Sequence, residues 1–203
     1  MSGAFLVAGF VAFAVGALLP PPRVFTGTPD EQRQIVGQHP SRWVGSAVAL
    51  GTGVVVTFAG LTLLSAGLIR KGAWTLPILA LVSFGLGAVL FLVELAFRAT
   101  VYVSVATASH DIPSWFLPFQ AWAGAAYWAY MPLAYLGVAA TGGAVLQTEV
   151  LPFGFGWTAA GFGLLGAAVY VTKLPRRLWT LFDIPGLLYV VTGAIGVGLL
   201  VAA

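Results

Sequence analysis

Glu94 and Arg98 are the two residues of this 203-residue chain best placed to do chemistry. They stand four apart in an otherwise apolar stretch, so on a helix they share a face and form an ion pair. Alone, each would cost roughly 2.5–3.5 kcal/mol at the middle of a bilayer. Paired and turned inward they become tolerable, and two readings follow. In the functional one, Glu94 carries a proton or holds a cation and Arg98 receives an anionic head group. In the structural one, the pair lies near an interface and Arg98 snorkels toward the head groups.

Other candidates are weaker. His110-Asp111 pairs an imidazole with a carboxylate, which suits acid–base chemistry or metal ligation. Adjacent side chains need not converge, however, and His39 is the only other histidine. Interfacial loop residues are therefore the preferred reading, and no metal site is expected. Asp183 before Ile184-Pro185 has the pattern of an N-cap, with a carboxylate partner for Arg176 or Arg177 as the rival role. An aromatic stripe runs through Trp122, Tyr127, Trp128, Tyr130 and Tyr135, near Gln120. Trp128 and Tyr135 share a helical face, with Met131 between them. Trp122, Trp128, Met131 and Tyr135 thus form a candidate surface for a flat or long apolar ligand such as a quinone, a carotenoid or a lipid acyl chain. Packing and interfacial anchoring are the competing explanation.

Several chemistries are excluded. The absence of cysteine removes disulfides, thiolate metal sites and iron–sulfur clusters. A bis-histidine membrane haem needs histidines on helices, and both fall in connections. Lys71 and Lys173 flank apolar runs, so neither supplies a buried Schiff base. H-E-x-x-H, P-loop and G-x-S-x-G patterns do not occur.

The elements that must position these residues are dictated by composition. Hydrophobic residues make up 60% and charged residues 7%, too few charges to cover a water-soluble globule. The formal charge of +3 is spread over loops, which argues against nucleic acid as a partner. A span needs roughly 20 apolar residues. Six stretches qualify: 2–19, 43–69, 74–107, 119–147, 151–171 and 183–203. The fold class expected is all-α, one domain of six transmembrane helices, with a kink at Pro132. No basic residue precedes the first stretch and Ala12-Phe13-Ala14 lies inside it, so it reads as a retained helix and not a signal peptide.

Arg23, Arg33 and Arg42 occupy the first connection and Lys173, Arg176 and Arg177 the fifth, against Arg70 and Lys71 in the second. The positive-inside rule then places both termini outside. Within the first connection, Thr28-Pro29-Asp30-Glu31 reads as a capping box with proline at N1. A short interfacial helix should follow, with Gly37 at C′ and Pro40 beyond it. Small residues recur at Gly45, Ala49 and Gly53, at Ala159, Gly163 and Ala167, and at Thr192 and Gly196. In lipid these mark close helix crossings or a dimer seam.

The layout resembles a family of six-helix bacterial membrane proteins known only as a domain of unknown function. The similarity lies in the capped loop helix ending Gln38-His39-Pro40-Ser41-Arg42, the linker Gln147-Thr148-Glu149-Val150-Leu151-Pro152 and the Gly-rich run 154–166. It implies the fold and a prokaryotic cell membrane, and carries over no activity or catalytic residue. The expected function is non-catalytic: an accessory subunit of a membrane complex, or a homo-oligomer, or a binder of lipid, quinone or carotenoid. Transport through Glu94 and Arg98, or an intramembrane enzyme acting on lipid or isoprenoid, are the alternatives. Transporters often carry internal repeats, and the two halves of this chain show none.

Overall fold

The computed structural model describes residues 1–21, 24, 28–108, 112–172 and 185–202, and among these there is helix and turn but no strand. Arg23, His110, Asp111, Lys173, Arg176, Arg177 and Asp183 lie outside the described residues, and with them the proposed imidazole–carboxylate pair and the Asp183 cap.

Helix α1 (Ser2–Leu18) stops just before Pro20-Pro21. Helix α2 (Pro29–Gln38) opens with the expected box. The Thr28 amide donates to Glu31 Oε2 at 2.7 Å, and the Glu31 amide donates to Thr28 Oγ1 at 3.4 Å. Gly37 is not the terminating residue that the sequence suggested, because α2 continues to Gln38. Its lack of a side chain serves contact instead: a Cβ there would stand 2.5 Å from the carbonyl oxygen of Ala106.

Helix α3 (Pro40–Arg70) begins on its own N-terminal proline and ends in a turn where Gly72 takes a φ of +98°. Helix α4 spans Thr75–Thr107, interrupted by one π-helical turn at Arg98–Tyr102. Helix α5 (Phe116–Thr148) is helical through Pro132 without interruption and closes at Glu149, whose φ of 50° is left-handed. It starts three residues before the apolar run, since a helix end can leave the apolar layer while its hydrogen bonds continue. Helices α6 (Phe153–Thr172) and α7 (Pro185–Val201) complete the chain.

Four helices, α3 to α6, are long and apolar enough to cross a membrane, and α1 and α7 are shorter apolar helices. Their outer faces are apolar as well. On α4 the exposed residues Ile78, Leu79, Val82, Leu86, Val89 and Val93 recur at helical spacing, a face that water would penalise and lipid would not.

The helices pack in chain order: α1 on α3, α3 on α4, α4 on α5, α5 on α6, and α7 back on α1. Between apolar helices in lipid, close backbone approach replaces the hydrophobic effect as the source of contact. A Cβ on Gly53 of α3 would stand 2.7 Å from the Phe13 amide of α1, and one on Gly16 would stand 2.7 Å from the Leu50 amide. Gly137 of α5 faces Phe84 of α4, and Gly163 of α6 faces the Ala139 amide of α5 at 2.5 Å. Gly3 and Gly196 bring α1 against α7. The α3–α4 seam differs: Gly51 meets the side chains of Leu92 and Leu95, and Gly85 meets the Phe58 ring. At α6–α7, Gly198 likewise meets the Phe155 ring and Leu151. Of the small-residue runs read from the sequence, Gly53, Gly163 and Gly196 sit in tight crossings, whereas Gly45 approaches only Leu19 at 3.8 Å.

Aromatic rings fill the middle. Phe13 of α1 stacks on Tyr189 of α7 at 3.7 Å, and Phe91 of α4 on Tyr130 of α5 at 4.5 Å. The two stacks meet through Phe13 and Phe91 and through a 3.1 Å hydrogen bond between the Tyr130 and Tyr189 hydroxyls. A smaller core at one end gathers Val36 of α2, Phe97, Tyr102 and Val105 of α4 and Phe116 of α5.

Gly163→Ala is expected to lower stability by about 1–3 kcal/mol, the usual range for overpacking, because the new methyl meets backbone that cannot move aside. Gly161→Ala, two residues away with nothing within 4 Å, should be neutral or mildly stabilising. Thermal denaturation of the detergent-solubilised variants checks the contrast.

Candidate functional site

Glu94 and Arg98 meet as their spacing requires, Arg98 Nε donating to Glu94 Oε1. Glu94 is buried, only 4% exposed, and its second oxygen, Oε2, is buried without a hydrogen-bond partner among the described residues. Arg98 is less enclosed, its side chain 26% exposed. The pair is therefore asymmetric: one charge is fixed inside and the other reaches outward.

The π turn begins at Arg98. Widening the helix by one residue disturbs the regular carbonyl-to-amide ladder, and such turns often occur at functional positions. Here the Trp43 indole Nε1 of α3 donates to the Arg98 carbonyl at 3.2 Å. The same indole lies under the guanidinium, with Arg98 Cζ 5.8 Å from the ring centre, within cation–π range. One tryptophan thus holds both the backbone and the charge of Arg98. Tyr102, one turn on, lies 6.0 Å from that indole and belongs to the core beneath α2. Trp43, Ser46, Leu50 and Leu95 enclose a space beside Arg98 too narrow for water. Ser46 also donates to the Gly16 carbonyl at 2.6 Å, tying α3 to α1.

Next to this space a groove of about 410 Å³ runs along the outside of the α3–α4 seam. Ala47 and Leu95 form walls of both, and the groove extends to Ala99, the neighbour of Arg98. Gly51, Val55, Leu92 and Ala96 line the rest with Thr52, whose hydroxyl donates to the Val48 carbonyl, so the groove is apolar and Arg98 is not part of its lining. A second groove of about 420 Å³ between α6 and α7 is lined by Phe155, Val190, Val191 and Ile195 and has no charged side chain.

The aromatic stripe is divided. Met131 and Tyr135 are fully buried, Tyr135 lying against Gly166 and 5.5 Å from Phe162. Trp128 remains on their face, since it and Tyr135 both touch Tyr170, but it is 43% exposed. Trp122 stands apart on the outer surface of α5, edge-on to Phe119. The stripe and the Glu94–Arg98 pair do not share a groove. Among the described residues no cluster of three or more His, Asp or Glu could hold a metal.

In the sequence Trp43 only opens the second apolar stretch, and its contact with Arg98 spans 55 residues, beyond any local spacing rule. Tyr189 went unnoticed for the same reason. No family model, curated protein or solved structure matches the chain.

Removing one partner of a buried pair typically costs about 3–5 kcal/mol when the other charge is left uncompensated. Arg98→Leu strands Glu94 inside and should fall in that range, whereas Glu94→Gln leaves an arginine that can still reach outward and should be milder. Chemical denaturation in detergent should rank the variants in that order, with Glu94→Leu/Arg98→Leu recovering much of the loss.

Proposed function

We propose that this chain is a six-span, non-catalytic protein of the cell membrane that holds a lipid, or another long apolar molecule such as a quinone or carotenoid, along the α3–α4 groove. The observation that carries this reading is the groove itself: apolar along its length, open sideways, and without a charged side chain in its lining. The aromatic packing of Phe13, Phe91, Tyr130 and Tyr189 supports it too, because rings stacked across the middle leave the lateral seams as the accessible spaces.

Six spans fit the dimensions. Helices α1 and α7, at 17 residues each, reach about 26 Å at 1.5 Å per residue, close to a hydrocarbon layer of about 30 Å. Glu94 lies nineteen residues past Thr75, about 28 Å along α4, so an entry at the exposed Trp74 puts the ion pair at the opposite boundary. Helix α2 then lies at that interface, beside the exposed rings of Trp115, Phe119 and Trp122 in an aromatic belt. Arg33, Arg42 and Arg98 share this end, which the positive-inside rule makes cytoplasmic, with both termini outside.

Native mass spectrometry from mild detergent should find wild-type protein carrying a lipid-sized adduct. Ala96→Phe, which puts a ring into the groove, should release most of it while leaving the melting temperature within a few degrees. Full retention by that variant would remove the groove as the binding place.

The unpartnered Glu94 Oε2 favours a second reading, transport of a cation or proton past the pair. Flux into proteoliposomes that disappears in Glu94→Gln would establish it over the first.

A further inference from the structure

We propose that the bundle is two rigid three-helix bodies that open like a book, with α3–α4 as the spine, α6–α7 as the mouth and the Tyr130–Tyr189 hydrogen bond as the latch. This goes beyond the lipid-holding reading and does not depend on what occupies the α3–α4 groove.

The contacts between neighbouring helices close a ring in the order α7, α1, α3, α4, α5, α6. The two seams whose glycines meet side chains and not backbone, α3–α4 and α6–α7, stand opposite each other in that ring. They divide it into one body of α7, α1 and α3 and another of α4, α5 and α6. Inside the bodies a Cβ on Gly196, Gly53, Gly137 or Gly163 would strike the next helix, so packing this close allows no sliding within either. The rings follow the same division. Phe13 and Tyr189 stack inside the first body, and Phe91 and Tyr130 inside the second. Between the bodies the Phe13 and Phe91 rings stand 6.3 Å apart and tilted, and the Tyr130 and Tyr189 hydroxyls share one hydrogen bond of 3.1 Å. Two hydroxyls have two protons to donate, and one of these finds no acceptor among the described residues. The latch is therefore half-satisfied and cheap to release.

The spine is tied at both ends. At one, the turn at 71–74 joins α3 to α4, and Ser65 donates to the Pro77 carbonyl at 3.5 Å. At the other, α2 packs Val36 into the core around Tyr102, Gly37 lies against the Ala106 carbonyl, and Trp43 holds Arg98. The mouth has no such ties. Among the described residues no hydrogen bond or ion pair crosses from α6 to α7, and the nearest neighbours of Gly198 are the side chains of Phe155 and Leu151. The groove of about 420 Å³ already separates the two helices there. Rigid-body transitions of about 15° are ordinary, and about a spine two helix diameters away (roughly 20 Å) such a turn parts α6 from α7 by about 5 Å. Opening breaks the latch and brings Tyr130 and Tyr189 to the lateral surface, while both stacks stay whole.

The chain has no cysteine, so spin labels go only where cysteines are introduced. Four exposed positions serve, through Val11→Cys on α1, Leu63→Cys on α3, Leu79→Cys on α4 and Trp157→Cys on α6, taken in pairs. Distances are read by double electron–electron resonance on the full chain in lipid nanodiscs. The mouth pair, 11 with 157, should show a component about 5 Å longer than its main distance. Tyr189→Phe and Tyr130→Phe keep the ring stacks and should enlarge that component by about two- to tenfold, the range that one hydrogen bond carries. The pairs within a body, 11 with 63 and 79 with 157, should keep a single distance in every variant, and so should the spine pair, 63 with 79. A mouth pair with one distance in wild type and in both variants overturns the proposal. So does broadening of the within-body pairs in step with the mouth, since the bundle would then be loosening as a whole. A spine pair that lengthens more than the mouth pair overturns the hinge, and a longer component that neither variant changes overturns the latch.

Discussion

The architecture depends on where helix backbones can touch. Apolar helices in lipid gain nothing from hiding their side chains from each other, so the tightness of a seam is set by whether glycine opens a path for backbone contact. At α1–α3, α4–α5, α5–α6 and α1–α7 it does, and a single methyl at Gly53, Gly137, Gly163 or Gly196 would collide with the neighbouring helix. At α3–α4 and α6–α7 the glycines face leucine and phenylalanine side chains, which hold the helices apart. Among the described residues, grooves lie along these two seams. The candidate site thus arises from a missing close approach and not from a dedicated loop or insertion.

Electrostatics then distinguishes the surroundings of the two grooves. The α3–α4 groove adjoins, without including, a charge held by three cooperating features: a carboxylate one turn earlier on α4, a π turn that starts at Arg98, and an indole from α3 that meets both the Arg98 carbonyl and its guanidinium. Because Glu94 is buried and Arg98 is not, the pair faces outward through its cationic member. A neutral pair in total can therefore present a positive end locally.

Much of this was legible beforehand, wherever the deciding interaction is local. The Thr28–Glu31 box follows from a three-residue spacing, and the Glu94–Arg98 pair from a four-residue one. The continuation of α4 past Arg98 to Thr107 followed from apolar length. Gly37 misled because its sequence context is that of a helix terminator, whereas its actual constraint is the Ala106 carbonyl of a distant helix. The aromatic stripe was legible only in part for a related reason. Spacing puts Trp128, Met131 and Tyr135 on one face, but whether that face is open or covered depends on α6, whose Gly163 and Gly166 bring it down onto Tyr135.

The amino-acid sequence by itself determined the medium and the rods: long apolar helices, the caps and prolines that bound them, and one ion pair of fixed geometry. Each is decided by contacts within a turn or two, or by composition alone. Only the tertiary structure decided which glycines meet backbone, where the grooves lie, and that Trp43 secures Arg98 across 55 residues. The physical reason is that a helix offers several apolar faces of nearly equal merit, and lipid does not choose among them. The choice falls to shape complementarity between helices, which no single helix contains.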